Sequence, residues 1–107
     1  MTTEEATRLI HAIRLLDSEM PIPQAHVLFI VAGAGSEGIT MANLCRKAQI
    51  GQASCSRYVA ALGKQGRHRE QGLGLVQATE DPLERRRKIV TLTTKGQGFI
   101  NKVTTRR

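Results

Sequence analysis

The side chains best suited to chemistry in this sequence are cationic, hydroxylic or amidic, and they gather in two short runs. The first is Gln52-Ala53-Ser54-Cys55-Ser56-Arg57, where an amide, two hydroxyls and a guanidinium alternate with small residues. Amides and hydroxyls bond to base edges or phosphate oxygens, and arginine reads guanine or clamps phosphate. Small neighbours let a helix sit deep in the major groove. The second run is Arg85-Arg86-Arg87-Lys88, four adjacent cations preceded by Glu84. Four like charges in a row repel one another, and an anionic partner relieves the repulsion. Between the runs lie Lys64, Arg67, His68 and Arg69, which add further positive charge for phosphate contacts.

The remaining reactive residues assemble into nothing catalytic. His11, His26 and His68 are scattered, with no His-x-x-x-His pair and no Cys-His cluster, so neither a metal set nor a nucleophilic dyad is expected. His26 lies in an apolar run and reads as a core histidine. Gly33-x-Gly35-x-x-Gly38 has the spacing of a dinucleotide-binding fingerprint, but it ends a helix instead of following a strand. No enzymatic activity and no cofactor are expected. Cys45 and Cys55 fall at core-facing positions, where a thiol behaves as a small hydrophobe. Oxidation there would displace a helix, yet buried thiols of ordinary pKa are inert.

Charge distribution supports a polyanionic partner. The 107 residues carry 16 Lys+Arg against nine Asp+Glu, for a net charge of +7. Residues 1–52 hold four basic and five acidic groups, whereas residues 53–107 hold 12 basic and four acidic ones. A basic second half favours nucleic acid over a membrane surface. No segment reaches the roughly 18 consecutive apolar residues of a membrane span. The acidic start lacks the order of a secretory signal, and two cysteines make no disulfide scaffold, so the cytoplasm is the expected compartment. The length suits a single domain over 1–107. Only Phe29, Tyr58 and Phe99 are aromatic, which predicts an aliphatic core and excludes single-strand binding by base stacking.

These residues need elements to hold them, and the periodicity supplies them. Ala6, Leu9, Ile10, Ile13 and Leu16 line one face of a helix over about 3–18, capped by Thr3. A central apolar helix over about 23–33 starts at Pro23. Thr40 caps a third helix over about 40–48. After Gln49-Ile50-Gly51 a fourth starts at about Gln52, its inner face marked by Cys55, Tyr58, Val59 and Leu62. Two short helices separated by a glycine-containing turn form a helix-turn-helix, here over about 40–64. Residues 75–80 and 88–92 read as strands around a cationic tip, a hairpin over about 75–92. A last helix over about 94–103, capped by Thr93 or Thr94, presents Phe99, Ile100 and Val103. The expected class is mainly α with a small β-hairpin, a winged helix-turn-helix, whose flanking helices over 3–18 and 94–103 are free to dimerise.

Asp81-Pro82-Leu83-Glu84-Arg85-Arg86-Arg87-Lys88-Ile89-Val90-Thr91-Leu92-Thr93-Thr94-Lys95-Gly96 resembles the wing of the multiple antibiotic resistance regulators, the MarR family. Ser54-Cys55-Ser56-Arg57-Tyr58-Val59 and Ile39-Thr40-Met41-Ala42-Asn43-Leu44 are similar to that family's recognition segment and helix-turn-helix opening. The resemblance covers roughly residues 21–100. It implies that Gln52, Ser54, Ser56 and Arg57 face the major groove and that Arg86 enters the minor groove. It further implies that Glu84 holds that wing arginine by a salt bridge, and that Arg85 and Arg87 touch flanking phosphates. It implies a homodimeric transcriptional regulator, a repressor on a pseudo-palindromic operator in double-stranded DNA. Family members are often released by a small ligand or by cysteine oxidation; nothing in the residues indicates an effector here. About eight extra residues within 64–74, and an end soon after the fifth helix, depart from the family pattern. The alternatives are a winged-helix module of a replication or packaging complex and a protein–protein interaction domain.

Overall fold

The computed structural model describes residues 1–64 and 72–104. Five helices and a small sheet follow one another as α1 (Thr3–Leu16), α2 (Ile22–Gly33), a 3-10 turn (Gly35–Glu37), β1 (Ile39–Thr40), α3 (Met41–Ala48), α4 (Gln52–Leu62), β2 (Val76–Glu80), β3 (Lys88–Leu92) and α5 (Thr94–Thr104). The expected helices and both expected strands are present, with small shifts at their ends. Thr2, not Thr3, caps α1 in a reciprocal capping box. Thr2 Oγ1 accepts the Glu5 N–H at 3.1 Å, and Glu5 Oε1 accepts the Thr2 N–H at 3.0 Å. The helix stops at Leu16 because Asp17 is extended. α2 begins one residue before Pro23, with Pro21 as its N-cap.

The hairpin acquires a third strand that its residues did not announce. β1 pairs antiparallel with β3 through Ile39↔Val90 and Thr40↔Ile89, giving the order β1-β3-β2. Two residues are too few to show the alternation that marks a strand. Gly38 makes the pairing sterically feasible. Its φ is +78°, and a Cβ there would stand 2.7 Å from the Val90 carbonyl oxygen and 2.6 Å from Thr91 Cγ2. The apparent nucleotide fingerprint thus ends in a glycine that serves close backbone approach.

The core is aliphatic, as the composition requires. Val27, Leu28 and Val31 of α2 pack with Leu44 and Ala48 of α3, and with Cys55, Val59 and Leu62 of α4. Leu75, Val76 and Val90 from the hairpin and Ile100 from α5 complete the cluster. Phe29, Tyr58 and Phe99 lie at its margin. His26 is exposed, contrary to its reading as a core histidine, because the buried face of α2 passes through Gln24, Ala25, Val27, Leu28 and Val31.

α1 stands apart from this core. None of its residues is buried, Ile10 is 48% exposed, and Leu16 is the residue of α1 that packs against the cluster. An apolar cleft of about 480 Å³ runs between α1 and α2, lined by Leu9, Ile13, Met20, Ala25 and Phe29. Among the described residues no helix is long and apolar enough to cross a membrane.

Candidate nucleic-acid interface

The turn between α3 and α4 fixes which face of α4 is presented. Gln49, not Gly51, takes the left-handed conformation at φ 57°, and the Ile50 N–H closes onto the Cys45 carbonyl at 3.2 Å. Thr40 caps α3 by accepting the Asn43 N–H at 3.2 Å. With Cys55, Val59 and Leu62 turned into the core, Gln52, Ala53, Ser56 and Arg57 face solvent and Ser54 is half-buried. Arg57 is held at its root. One Nη donates to Ser54 Oγ at 3.1 Å, and the guanidinium carbon lies 5.9 Å from the Tyr58 ring centroid. These contacts engage one edge of a planar donor fork and keep it extended along the helix surface.

Between α4 and β2 the chain is stitched to itself. The Gly72 N–H donates to the Lys64 carbonyl at 3.0 Å, Leu73 to Ala61 at 3.0 Å, Gly74 to Gly63 at 2.8 Å and Leu75 to Leu62 at 2.7 Å. Lys64 is exposed beside this neck. Arg67 and Arg69, expected to add phosphate contacts, lie outside the described residues. Lys95 and Thr93 secure the neck from the other side. Lys95 Nζ donates to the Leu73 carbonyl at 2.9 Å, and Thr93 Oγ1 donates to the Gly74 carbonyl at 2.6 Å. Neither tie was foreseen from the sequence, since both cross about twenty residues with no local pattern to mark them.

The wing tip is organised by Asp81. This carboxylate is 8% exposed, and Oδ1 accepts the Leu83 N–H at 2.9 Å while Oδ2 accepts Arg87 Nε at 3.1 Å. Arg87 Nη2 lies 3.1 Å from Asp81 and 3.4 Å from Glu84. The expected Glu84 salt bridge therefore reaches Arg87 and not Arg86, while the Arg87 side chain stays 49% exposed. Strand register explains the choice of Arg87. Glu80 stands opposite Lys88, and the Asp81 N–H donates to the Arg87 carbonyl at 2.8 Å, so Asp81 and Arg87 oppose each other on one face. Arg86, one residue earlier, falls on the other parity. Across residues 80–88 four cations meet Glu80, Asp81 and Glu84, so much of the expected self-repulsion is neutralised. Arg85, Arg86 and Lys88 are exposed, and no ion pair holds them among the described residues. In the sequence the Asp-Pro opening marks a turn, but nothing local marks Asp81 as the residue that organises it.

The two thiols meet where α3 packs on α4. Cys55 is fully buried and Cys45 half-buried. Desolvation, with Cys45 beside it, pushes the Cys55 thiol up to about 12, which keeps it protonated and unreactive as a nucleophile at neutral pH.

No family model matches the sequence, and no curated protein matches it at a significant level. Solved structures do. The structure of S. aureus MepR bound to DNA superposes with a TM-score of 0.76 at 19% identity, over 95% of this chain and 75% of that one. The PcaV transcriptional regulator of Streptomyces coelicolor, in complex with its natural ligand, gives 0.63 at 23% identity over 92% and 66%. RV1404 of Mycobacterium tuberculosis gives 0.67 at 27% identity over 92% and 64%. Five helices and a small three-stranded antiparallel sheet, superposing on these structures, give this chain the MarR-like winged-helix fold.

Proposed function

We propose that this chain binds double-stranded DNA and regulates transcription, as a homodimeric repressor at a pseudo-palindromic operator. The observation that carries this reading is the exposed polar face of α4, with Arg57 preset by Ser54 and Tyr58, followed in the same fold by a hairpin bearing Arg85 and Arg86. Gln52, Ser54, Ser56 and Arg57 then meet major-groove edges and phosphates, while Arg85, Arg86 and Lys88 meet the adjacent minor groove and its rims. Exposed Lys64 extends the positive surface, and Arg67 and Arg69 follow it in the sequence as further candidates for phosphate contacts. Support comes also from the S. aureus neighbour, which was solved on DNA. Dimerisation is supported by α1, whose apolar stripe has no buried residue within one copy of the chain.

The decisive experiment is selection from a random pool of duplex DNA at near-physiological salt. Recovery of an inverted repeat with half-sites about one helical turn apart is the expected result. Recovery of no motif, with binding abolished by modest salt, would overturn the operator reading and leave a non-specific basic domain.

A further inference from the structure

We propose that Met41, Cys45 and Cys55 form a binding site for a soft, thiophilic monovalent ion of the Cu(I) class, shared between the two helices of the helix-turn-helix. Met41 and Cys45 are four residues apart on α3 and so lie one turn apart on the same face. Cys55 projects from α4 against that face, with its Sγ 3.8 Å from Met41 Sδ. The Cys45 thiol neighbours the Cys55 thiol across the same helix contact. Three sulfurs from two helices therefore gather where α3 packs on α4.

Geometry and donor chemistry agree on the kind of ion. Sulfurs bound at about 2.3 Å to one trigonal or tetrahedral ion sit roughly 3.8–4.0 Å apart, the separation already present between Cys55 and Met41. Thiolate and thioether donors select Cu(I) over the hard cations that need oxygen. Among the described residues no set of three His, Cys, Asp or Glu side chains is placed to hold a metal, so no imidazole or carboxylate completes a zinc-type set here. Cys55 is buried, whereas Met41 and Cys45 are half-buried, which gives the ion a way in from the surface. On binding, each thiol releases its proton to solvent and both sulfurs donate as thiolates. Met41 donates a thioether lone pair, and no electron is transferred. Loading therefore weakens as pH falls. The bound ion would cross-link α3 to α4 through the core side of the motif.

The test is an anaerobic titration of the whole chain with Cu(I) alone against a coloured Cu(I) chelator, with thiolate-to-copper charge transfer read in the ultraviolet. The expected result is one ion per chain. Binding should be lost in Cys45→Ser and weakened by at least about tenfold in Met41→Leu, as for removal of a metal-supporting group. Both substitutions are at half-buried positions, so the result does not depend on the fully buried Cys55 tolerating change. Unaltered binding in Met41→Leu, or failure of the chain to take Cu(I) from the chelator, would overturn the site. The ion is read directly, so this outcome is independent of the DNA selection.

Discussion

At the scale of single residues, Asp81 and Arg86 have opposite duties that a salt titration separates. Arg86 is exposed and outside any described ion pair, so Arg86→Ala should cost roughly 1–3 kcal/mol of DNA affinity and lower the salt slope by about one. Asp81 faces inward, holding the Leu83 amide and the Arg87 guanidinium. Asp81→Asn should remove about 1–2 kcal/mol of folding stability through the charge-assisted bonds, discounted because Arg87 is half-exposed. It should weaken DNA binding without lowering the salt slope, since it removes no cation. A lowered slope in Asp81→Asn would refute the division of roles. Cys55 makes a second prediction, about pH. Below about pH 9 its thiol is protonated in both folded and unfolded chains and contributes no pH dependence. Above that pH the unfolded thiol ionises, while the folded one, pushed up to about 12, does not. Its contribution to stability should therefore fall across this alkaline window, by at most about 1.4 kcal/mol per pH unit. Thermal melts of wild type and Cys55→Ala between pH 7 and pH 11 should converge at the alkaline end; parallel curves would discard the effect.

At the scale of elements, α5 approaches the hairpin root closely. A Cβ on Gly96 would stand 2.0 Å from the Leu75 carbonyl oxygen, itself bonded to the Thr93 N–H at 3.0 Å. Gly96→Ala must push α5 off the hairpin root at Leu75, and a loss of about 2 kcal/mol or more is expected in denaturant unfolding. Gly98→Ala, with open space around it, should stabilise slightly and serves as the control. The sequence disclosed elements in proportion to their length and periodicity. α3 and α4 were readable because Leu44, Ala48, Cys55, Val59 and Leu62 repeat at helical spacing, and Thr40 supplies a side-chain cap. β1 was not, because two residues have no period, and its pairing with β3 is a tertiary event. The exposed face of α4 followed directly from its buried face. The wing pairing did not, since choosing Arg87 over Arg86 as the partner of Glu84 depends on a register that shifts meaning with one residue. Thr2 and Thr3 are equally good caps by composition, and the Glu5 side chain decides between them.

At the scale of the whole molecule, the chain is a near-neutral first half carrying an exposed helix and a basic second half carrying the proposed interface. Its principal extents of 43 × 29 × 25 Å make it longer than it is wide. The apolar stripe of α1 gives the dimer prediction a specific handle. Ile13→Asp places a charge in the cleft lined by Leu9, Met20 and Phe29 without touching the main cluster. It should convert a dimer to a monomer in sedimentation at micromolar concentration, while leaving the helical circular dichroism in place. A wild-type chain that already sediments as a monomer would sink the dimer. The stitched neck at residues 61–64 and 72–75 has a different kind of consequence. Its four backbone bonds tie the end of α4 directly to the start of the hairpin, so a tilt of one element carries the other with it. The helix and the hairpin therefore act as a single two-pronged lever, and the spacing between their contacts is set by the protein and not by its partner.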